Sequence, residues 1–235
     1  MFKFTEEDLK ILKSYSNFNS DTTSMQFKSN TNFLFIRSKD LSIMSSYNMG
    51  KSINQTFSIF DLKKFINSLN LFNDVPTIDI NEKYCNIIYE NTKIKYMFSS
   101  PMVVNKNIVA DEKFISYLSN EKEMPFDISF MLQSKHIREI KKSQGILKLP
   151  DIGFFGDSGK LYLKSYDKAS MNGDSYSIEI GETDKNFILV LSKTFKLIFE
   201  DDEYLVNVKS DSMLMKLASA KINYMVGLDM ESKIY

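Results

Sequence analysis

Apolar and polar positions alternate in many short runs along this chain. Residues 33–37, 53–59, 77–80, 84–89 and 94–98 read as strands, and 126–130, 160–164, 176–180, 187–191, 204–208 and 222–228 follow in the second half. Polar clusters divide them: Asn81-Glu82-Lys83, Asp157-Ser158-Gly159, Asn172-Gly173-Asp174 and Glu200-Asp201-Asp202-Glu203. A period of two, broken by turns at such short intervals, predicts antiparallel sheets.

Four windows switch to a helical period. The first, 5–17, opens on Thr5-Glu6-Glu7-Asp8, a capping box with Asp in the closing position and Phe4 and Leu9 placed as a hydrophobic staple. Leu9 and Leu12 are expected to face inward, and Lys10 and Lys13 outward. The second, 61–70, opens on Asp61 with Phe60 and Phe65 as the staple pair; Leu62, Phe65, Ile66 and Leu69 form its apolar stripe, leaving Lys63 and Lys64 off it. The third, 134–144, ends at Gly145, a candidate left-handed cap. There Ile137 and Ile140 point inward, and Lys135, Arg138, Lys141 and Lys142 cannot all do so. The fourth, 192–199, is anchored by Phe195 and Ile198, with Lys193 and Lys196 projecting elsewhere.

The first helix starts of each half lie 56 and 58 residues before the second ones. Each half therefore reads as helix, strands, helix, strands, a repeat of architecture without a repeat of sequence. Residues 1–100 and 126–235 are predicted as two similar domains. The polar stretch 101–125, with Pro101 and Pro125 near its ends and a short helical turn near Phe114 to Leu118, is predicted as a connector.

Composition narrows the class. Lys plus Arg is 30 and Asp plus Glu is 30 in 235 residues, so the net charge is zero. That balance conceals an asymmetry: the four windows hold ten basic and five acidic residues, and four of those acids sit at helix starts, where the helix dipole favours them. Basic charge thus gathers on helix bodies. If the helices share a face, that face can follow a phosphate backbone, and its Lys-rich make-up suits non-specific attraction better than bidentate base reading. No apolar run approaches 18 residues, so no membrane span is expected, and the acidic stretch after Phe4 is unlike a targeting peptide.

Catalytic chemistry finds little support. With one Cys, Cys85, and one His, His136, no common zinc set can be assembled and no intrachain disulfide is possible. Gly153-Phe154-Phe155-Gly156-Asp157-Ser158-Gly159-Lys160 is a distorted echo of a P-loop, but Leu161 replaces the Mg²⁺-holding hydroxyl, and a hairpin turn at Asp157-Ser158-Gly159 is expected. The acids at 200–203 lack the ligand spacing of a calcium loop and read as a solvated turn. His136 is expected at a surface or on a basic helix face, and Cys85 as a buried strand thiol.

Two halves, each with two Lys-bearing helices and antiparallel strands, resemble a DNA sliding clamp. Phe60-Asp61-Leu62-Lys63-Lys64-Phe65, running on through Ile66, Leu69, Leu71 and Asn73-Asp74, is similar to the second helix and following turn of the processivity clamp of T-even-type bacteriophages. Ala220-Lys221-Ile222-Asn223-Tyr224-Met225-Val226-Gly227-Leu228-Asp229 is similar to its last strand. The resemblance implies an α+β DNA-clamp fold and a homotrimer closed head to tail, with double-stranded DNA through the hole. It further implies an ATP-dependent clamp loader, a DNA polymerase tethered for processivity, and no cofactor, metal or chemistry of the clamp's own. The phage clamps also serve late transcription, and the setting would be the cytoplasm of an infected bacterium. On that reading the channel is lined by Lys10, Lys13, Lys63, Lys64, Lys135, Arg138, Lys141, Lys142, Lys193 and Lys196. Two alternatives stay open: a phage structural or assembly protein of paired β-rich domains, and a small α+β hydrolase, which would need Cys85, His136 and an acid to meet.

Overall fold

The computed structural model describes residues 1–19, 22–104, 112–120, 122, 124–170, 173–191 and 194–235. The chain divides into two compact units, Met1–Ser119 and Asn120–Tyr235.

The first unit contains β1 (Phe2–Lys3), α1 (Glu6–Tyr15), β2 (Met25–Phe27), β3 (Phe33–Arg37), β4 (Ile43–Asn48), β5 (Phe57–Ile59), α2 (Leu62–Leu69), β6 (Thr77–Ile80), β7 (Tyr84–Tyr89), β8 (Thr92–Met97), α3 (Pro101–Val104) and α4 (Glu112–Leu118). Its strands form an antiparallel sheet in the order β1-β6-β7-β8, a β3–β4 hairpin and a β2–β5 pair. Phe65 sits at 0 % exposure among Phe4, Phe27 and Tyr96, with ring centroids 6.5, 6.5 and 5.1 Å away. Phe27 stacks on Phe57 at 4.6 Å. Burying aromatics in edge-on and offset contacts supplies a large share of a small core's stability. The Ser46 hydroxyl donates to the Leu118 carbonyl at 2.8 Å, tying α4 to β4, so both short helices of the 101–125 stretch fall in the first unit.

The second unit contains β9 (Ile128–Leu132), α5 (Ser134–Leu147), β10 (Asp151–Asp157), β11 (Lys160–Tyr166), β12 (Ser175–Glu182), β13 (Phe187–Val190), β14 (Tyr204–Lys209), β15 (Leu214–Ala218), β16 (Ile222–Gly227) and β17 (Lys233–Ile234). One antiparallel sheet runs β12-β11-β10-β13-β17, and β16-β15-β14-β9 are neighbours in another. Helix α5 packs on β11 and β12, with Ile137 and Ile140 fully buried and the Ser143 and Ser165 hydroxyls 2.9 Å apart. At Gly156 a Cβ would lie 2.4 Å from the Lys185 carbonyl oxygen and 2.7 Å from the Phe187 ring, so only glycine fits there.

Several expectations need correction. The third helix does not stop at Gly145 but runs to Leu147, with Lys148 in the left-handed conformation at φ 55°. Pro150 follows two residues on, where a helix cannot easily continue, and the Leu149 N–H closes the end onto the Gln144 carbonyl at 3.2 Å. The fourth window is not an α-helix in its described part, which is a single 3-10 turn over Phe195–Leu197. Thr194, Phe195, Leu197 and Ile198 are buried around the exposed Lys196, and Ile198 is already extended, which ends the turn. The strand expected over 53–59 is confined to β5, and strands β1, β2, β4, β10, β15 and β17 lie outside the expected runs. Phe60, expected to staple Phe65, is 48 % exposed.

Candidate nucleic-acid interface

Helix α1 is set by its first turn. Thr5 accepts from the Asp8 N–H at 3.0 Å, and Asp8 accepts from the Thr5 N–H at 2.6 Å, completing the capping box. Asp8 is 1 % exposed; it also takes the Tyr47 hydroxyl at 2.6 Å and lies 3.2 Å from the Lys51 ammonium. Burial and the adjoining carboxylate push the Tyr47 phenol far above its ordinary value, so it acts as a fixed donor. The inward positions are Asp8, Ile11, Leu12 and Tyr15, a 3.6-residue stripe one position away from the expected Leu9. Leu9 is half-buried at the helix edge, and Lys10 and Lys13 are exposed as predicted.

In α2 the Asp61 side chain accepts from the Lys64 N–H at 2.8 Å. Leu62, Phe65, Ile66 and Leu69 are buried, and Lys63 and Lys64 are exposed. The two helices pack together. One groove between them joins Lys10 and Lys13 to Leu69 and Phe72; another joins Lys63, Lys64 and Asn67 to Ser16 and Leu71. Among the described residues none of these four lysines has a carboxylate within ion-pair distance.

The second unit treats its cations differently. Lys135, Arg138 and Lys142 are exposed on α5, and Lys196 on the 3-10 turn. Arg138 Nη1 lies 3.1 Å from Asp201 Oδ1. Lys141 is folded inward: its Nζ donates to the Ile198 carbonyl at 2.6 Å and sits 3.6 Å from Glu200. Burial lowers the Lys141 pKa, and Glu200 and Asp201 oppose that shift. The acidic turn predicted to be solvated is thus a clasp for two of the predicted channel cations. No signal in the sequence links positions 57 to 63 residues apart. Lys193 lies outside the described residues.

The remaining candidates behave as structure. Gly153 to Lys160 spans the β10–β11 hairpin, with Ser158 and Gly159 at φ 52° and 85°, so no phosphate loop forms. Cys85 is fully buried on β7, and burial pushes its thiol up to about 12, which removes the thiolate a nucleophile needs. His136, expected on a surface, is 8 % exposed; burial and then Lys135 lower its pKa against the pull of Glu139. Among the described residues no group of three or more His, Cys, Asp or Glu side chains converges for a metal, and no helix is long and apolar enough to cross a membrane.

No family model and no curated protein matches the sequence. The fold, however, is shared with solved DNA clamps. The Helicobacter pylori beta clamp, solved with a DNA ligase peptide, is similar with a TM-score of 0.67 at 15 % identity, over 97 % of this chain and 65 % of that one. The PCNA of A. fulgidus, solved with the C-terminal region of FEN-1, gives 0.66 at 10 % identity over 98 % of both chains. The PCNA of Thermococcus kodakaraensis gives 0.64 at 13 % identity over 97 % and 98 %. This chain therefore spans about two thirds of the bacterial clamp's length and nearly all of the archaeal one's. With few helices laid on antiparallel sheets throughout, the chain has the α+β DNA-clamp fold.

Proposed function

We propose that this protein is a DNA sliding clamp: a homotrimeric ring that encircles duplex DNA and tethers a polymerase without reading sequence. The observation that carries the reading is the Lys10, Lys13, Lys63 and Lys64 set, exposed and unclasped on paired helices of a clamp fold. Lysines on a helix face attract phosphates through a sequence-independent, salt-sensitive term. They lack the bidentate geometry that would arrest movement at chosen bases. Retention would then be topological. Residues 1–100 and 126–235 are the two clamp domains of this reading, and 101–125 the connector between them. With two such domains in each chain, three copies joined head to tail would close a six-domain ring, as the resemblance to the phage clamp implies.

The finer assignments rest on the resemblance of 60–74 and 220–229 to the T-even-type phage clamp. They are an ATP-dependent loader, a phage replicative polymerase, a part in late transcription, and work in the cytoplasm of an infected bacterium. Loading the protein onto nicked circular and linear DNA with a cognate loader tests the central claim. The clamp should stay on circles and run off free ends, and equal loss from both defeats the sliding reading. Sedimentation should give a species three times the 27.3 kDa chain mass that dissociates on dilution.

A further inference from the structure

The sheet β12-β11-β10-β13-β17 has two unlike faces. One carries Ile152, Phe154, Leu161, Leu163 and Ser165, all buried, and α5 lies on that side, with its Ser143 hydroxyl 2.9 Å from that of Ser165. Phe155, Tyr162, Lys164 and Tyr166 alternate with these residues, so they point the other way, and they are half-exposed. The solvated face of an antiparallel sheet ordinarily carries polar side chains. This one carries three aromatic rings.

The rings lie close together. Tyr162, Phe155 and Ile188 stand in one row across β11, β10 and β13, and Lys233 of β17 ends the row. Phe155 leans over Gly153, where a Cβ would come within 3.1 Å of its ring. Tyr166 meets Phe155 edge-on, with centroids 5.5 Å apart. Lys164 Nζ lies 4.7 Å from the centre of the Phe155 ring and 5.3 Å from that of Tyr162. An aromatic laid over a glycine restores packing that the glycine forgoes. That accounts for Phe155; it does not account for Tyr162 or for the lysine above both rings.

Charge on this face is sorted. Glu179, opposite Tyr162, is held by Lys160 at 2.8 Å, and Asp157 stands opposite Lys160 at the hairpin end. Lys168 holds Glu231 at 2.8 Å and lies 3.9 Å from Asp151. Lys164 and Lys233, on either side of Phe155, have no carboxylate within ion-pair distance among the described residues. Rings interleaved with unpaired cations suit a chain of bases and phosphates. Every base offers a π-face, so stacking tolerates any sequence, and a base is free to stack in this way when its strand is unpaired. A duplex hides its bases and would meet only the two lysines. A proline-rich peptide would use the rings and leave the lysines idle.

We infer that the outward face of β10, β11 and β13 is a platform for single-stranded nucleic acid. Successive bases stack on Phe155 and Tyr162, Lys164 swings from the rings to a phosphate, and Lys233 takes another. This goes beyond the clamp reading, which assigns duplex DNA to the helices; α5 lies on the opposite face of this sheet.

The chain has no tryptophan, so Tyr162→Trp places a single reporter on the platform of the full-length protein. A thymidine dodecamer should quench its emission, and a duplex dodecamer should not. In the reporter protein, Phe155→Leu should raise the dodecamer concentration for half-quenching at least about fivefold. Lys164→Gln should lower the salt slope of quenching by about 0.7, the share of one phosphate on a single strand. Without any substitution, ultraviolet cross-linking of an iododeoxyuridine-bearing dodecamer should join at Phe155 or Tyr162. Equal quenching by the duplex, quenching by a decaproline peptide instead of the oligonucleotide, or cross-links confined to the lysine-bearing helices overturns the platform. So does an unchanged half-point in Phe155→Leu together with an unchanged slope in Lys164→Gln while circular dichroism reports native folding. A protein that passes these tests yet leaves circular and linear DNA equally fast would defeat the clamp reading and leave the platform standing.

Discussion

The two units solve the same problem with unequal means. In the first, α1 and α2 are both capped by their own side chains, through Thr5 with Asp8 and through Asp61. Their four lysines point to solvent without a carboxylate among the described residues. In the second, α5 starts at Gln133 with no side-chain cap, its companion is one 3-10 turn, and an acidic turn grips Arg138 and Lys141. A cation already bonded to a carbonyl and a carboxylate gives up those partners to reach a phosphate. Formal charge on a helix is therefore a poor measure of charge available to DNA, and the first unit should do most of the electrostatic work.

The sharpest way to break this comparison is to remove its frame. Phe65→Ala should destabilise the protein by about 3–5 kcal/mol, read by urea unfolding, because a fully buried ring amid three others leaves a cavity. Asp8→Ala should cost about 2–4 kcal/mol, since it strands the Tyr47 hydroxyl and the Thr5 N–H together and leaves Lys51 only the Lys3 carbonyl and the Phe2 ring. The same measurement on Gln133→Asp should show a gain of about 1 kcal/mol, supplying the cap that α5 lacks. Equal responses at the two helix starts would remove the contrast in capping.

DNA contact tests the contrast in charge. K63A/K64A should reduce the salt slope of binding by about 1–2 and impair processivity without changing the oligomer, whereas R138A should alter it little. E200Q/D201N should do the opposite and steepen the slope. A flat response to K63A/K64A beside a strong one to R138A would invert the assignment. The smallest expected effect is at His136. Its folded pKa is lowered, so below its ordinary value of about 6.5 the unfolded chain binds the proton first, and stability falls as pH drops through that range toward the lowered value. His136→Gln should flatten the fall in Tm between pH 7 and 5.5.

Much of the fold was readable because its signals are local. The capping box at Thr5, the stripe Leu62-Phe65-Ile66-Leu69 and the hairpin at Ser158-Gly159 need only neighbours to form. Strands β4 and β15 escaped notice because Ile43–Asn48 is half polar and Leu214–Ala218 is nearly all apolar, so neither alternates cleanly. Of the candidate site, the outward lysines of α1 and α2 followed from helical period alone. The inward turn of Lys141 did not, because a long side chain goes where a distant carbonyl and carboxylate meet it.

By itself, the sequence determined which segments are helix or strand wherever period and cap agree, and that positive charge would concentrate on the helices. Tertiary structure decided which of those charges remain free and that the described part of the fourth helical window is a single 3-10 turn. The division follows from range: periodicity and capping act within a few residues, whereas ion pairing and sheet order join positions that only folding brings together.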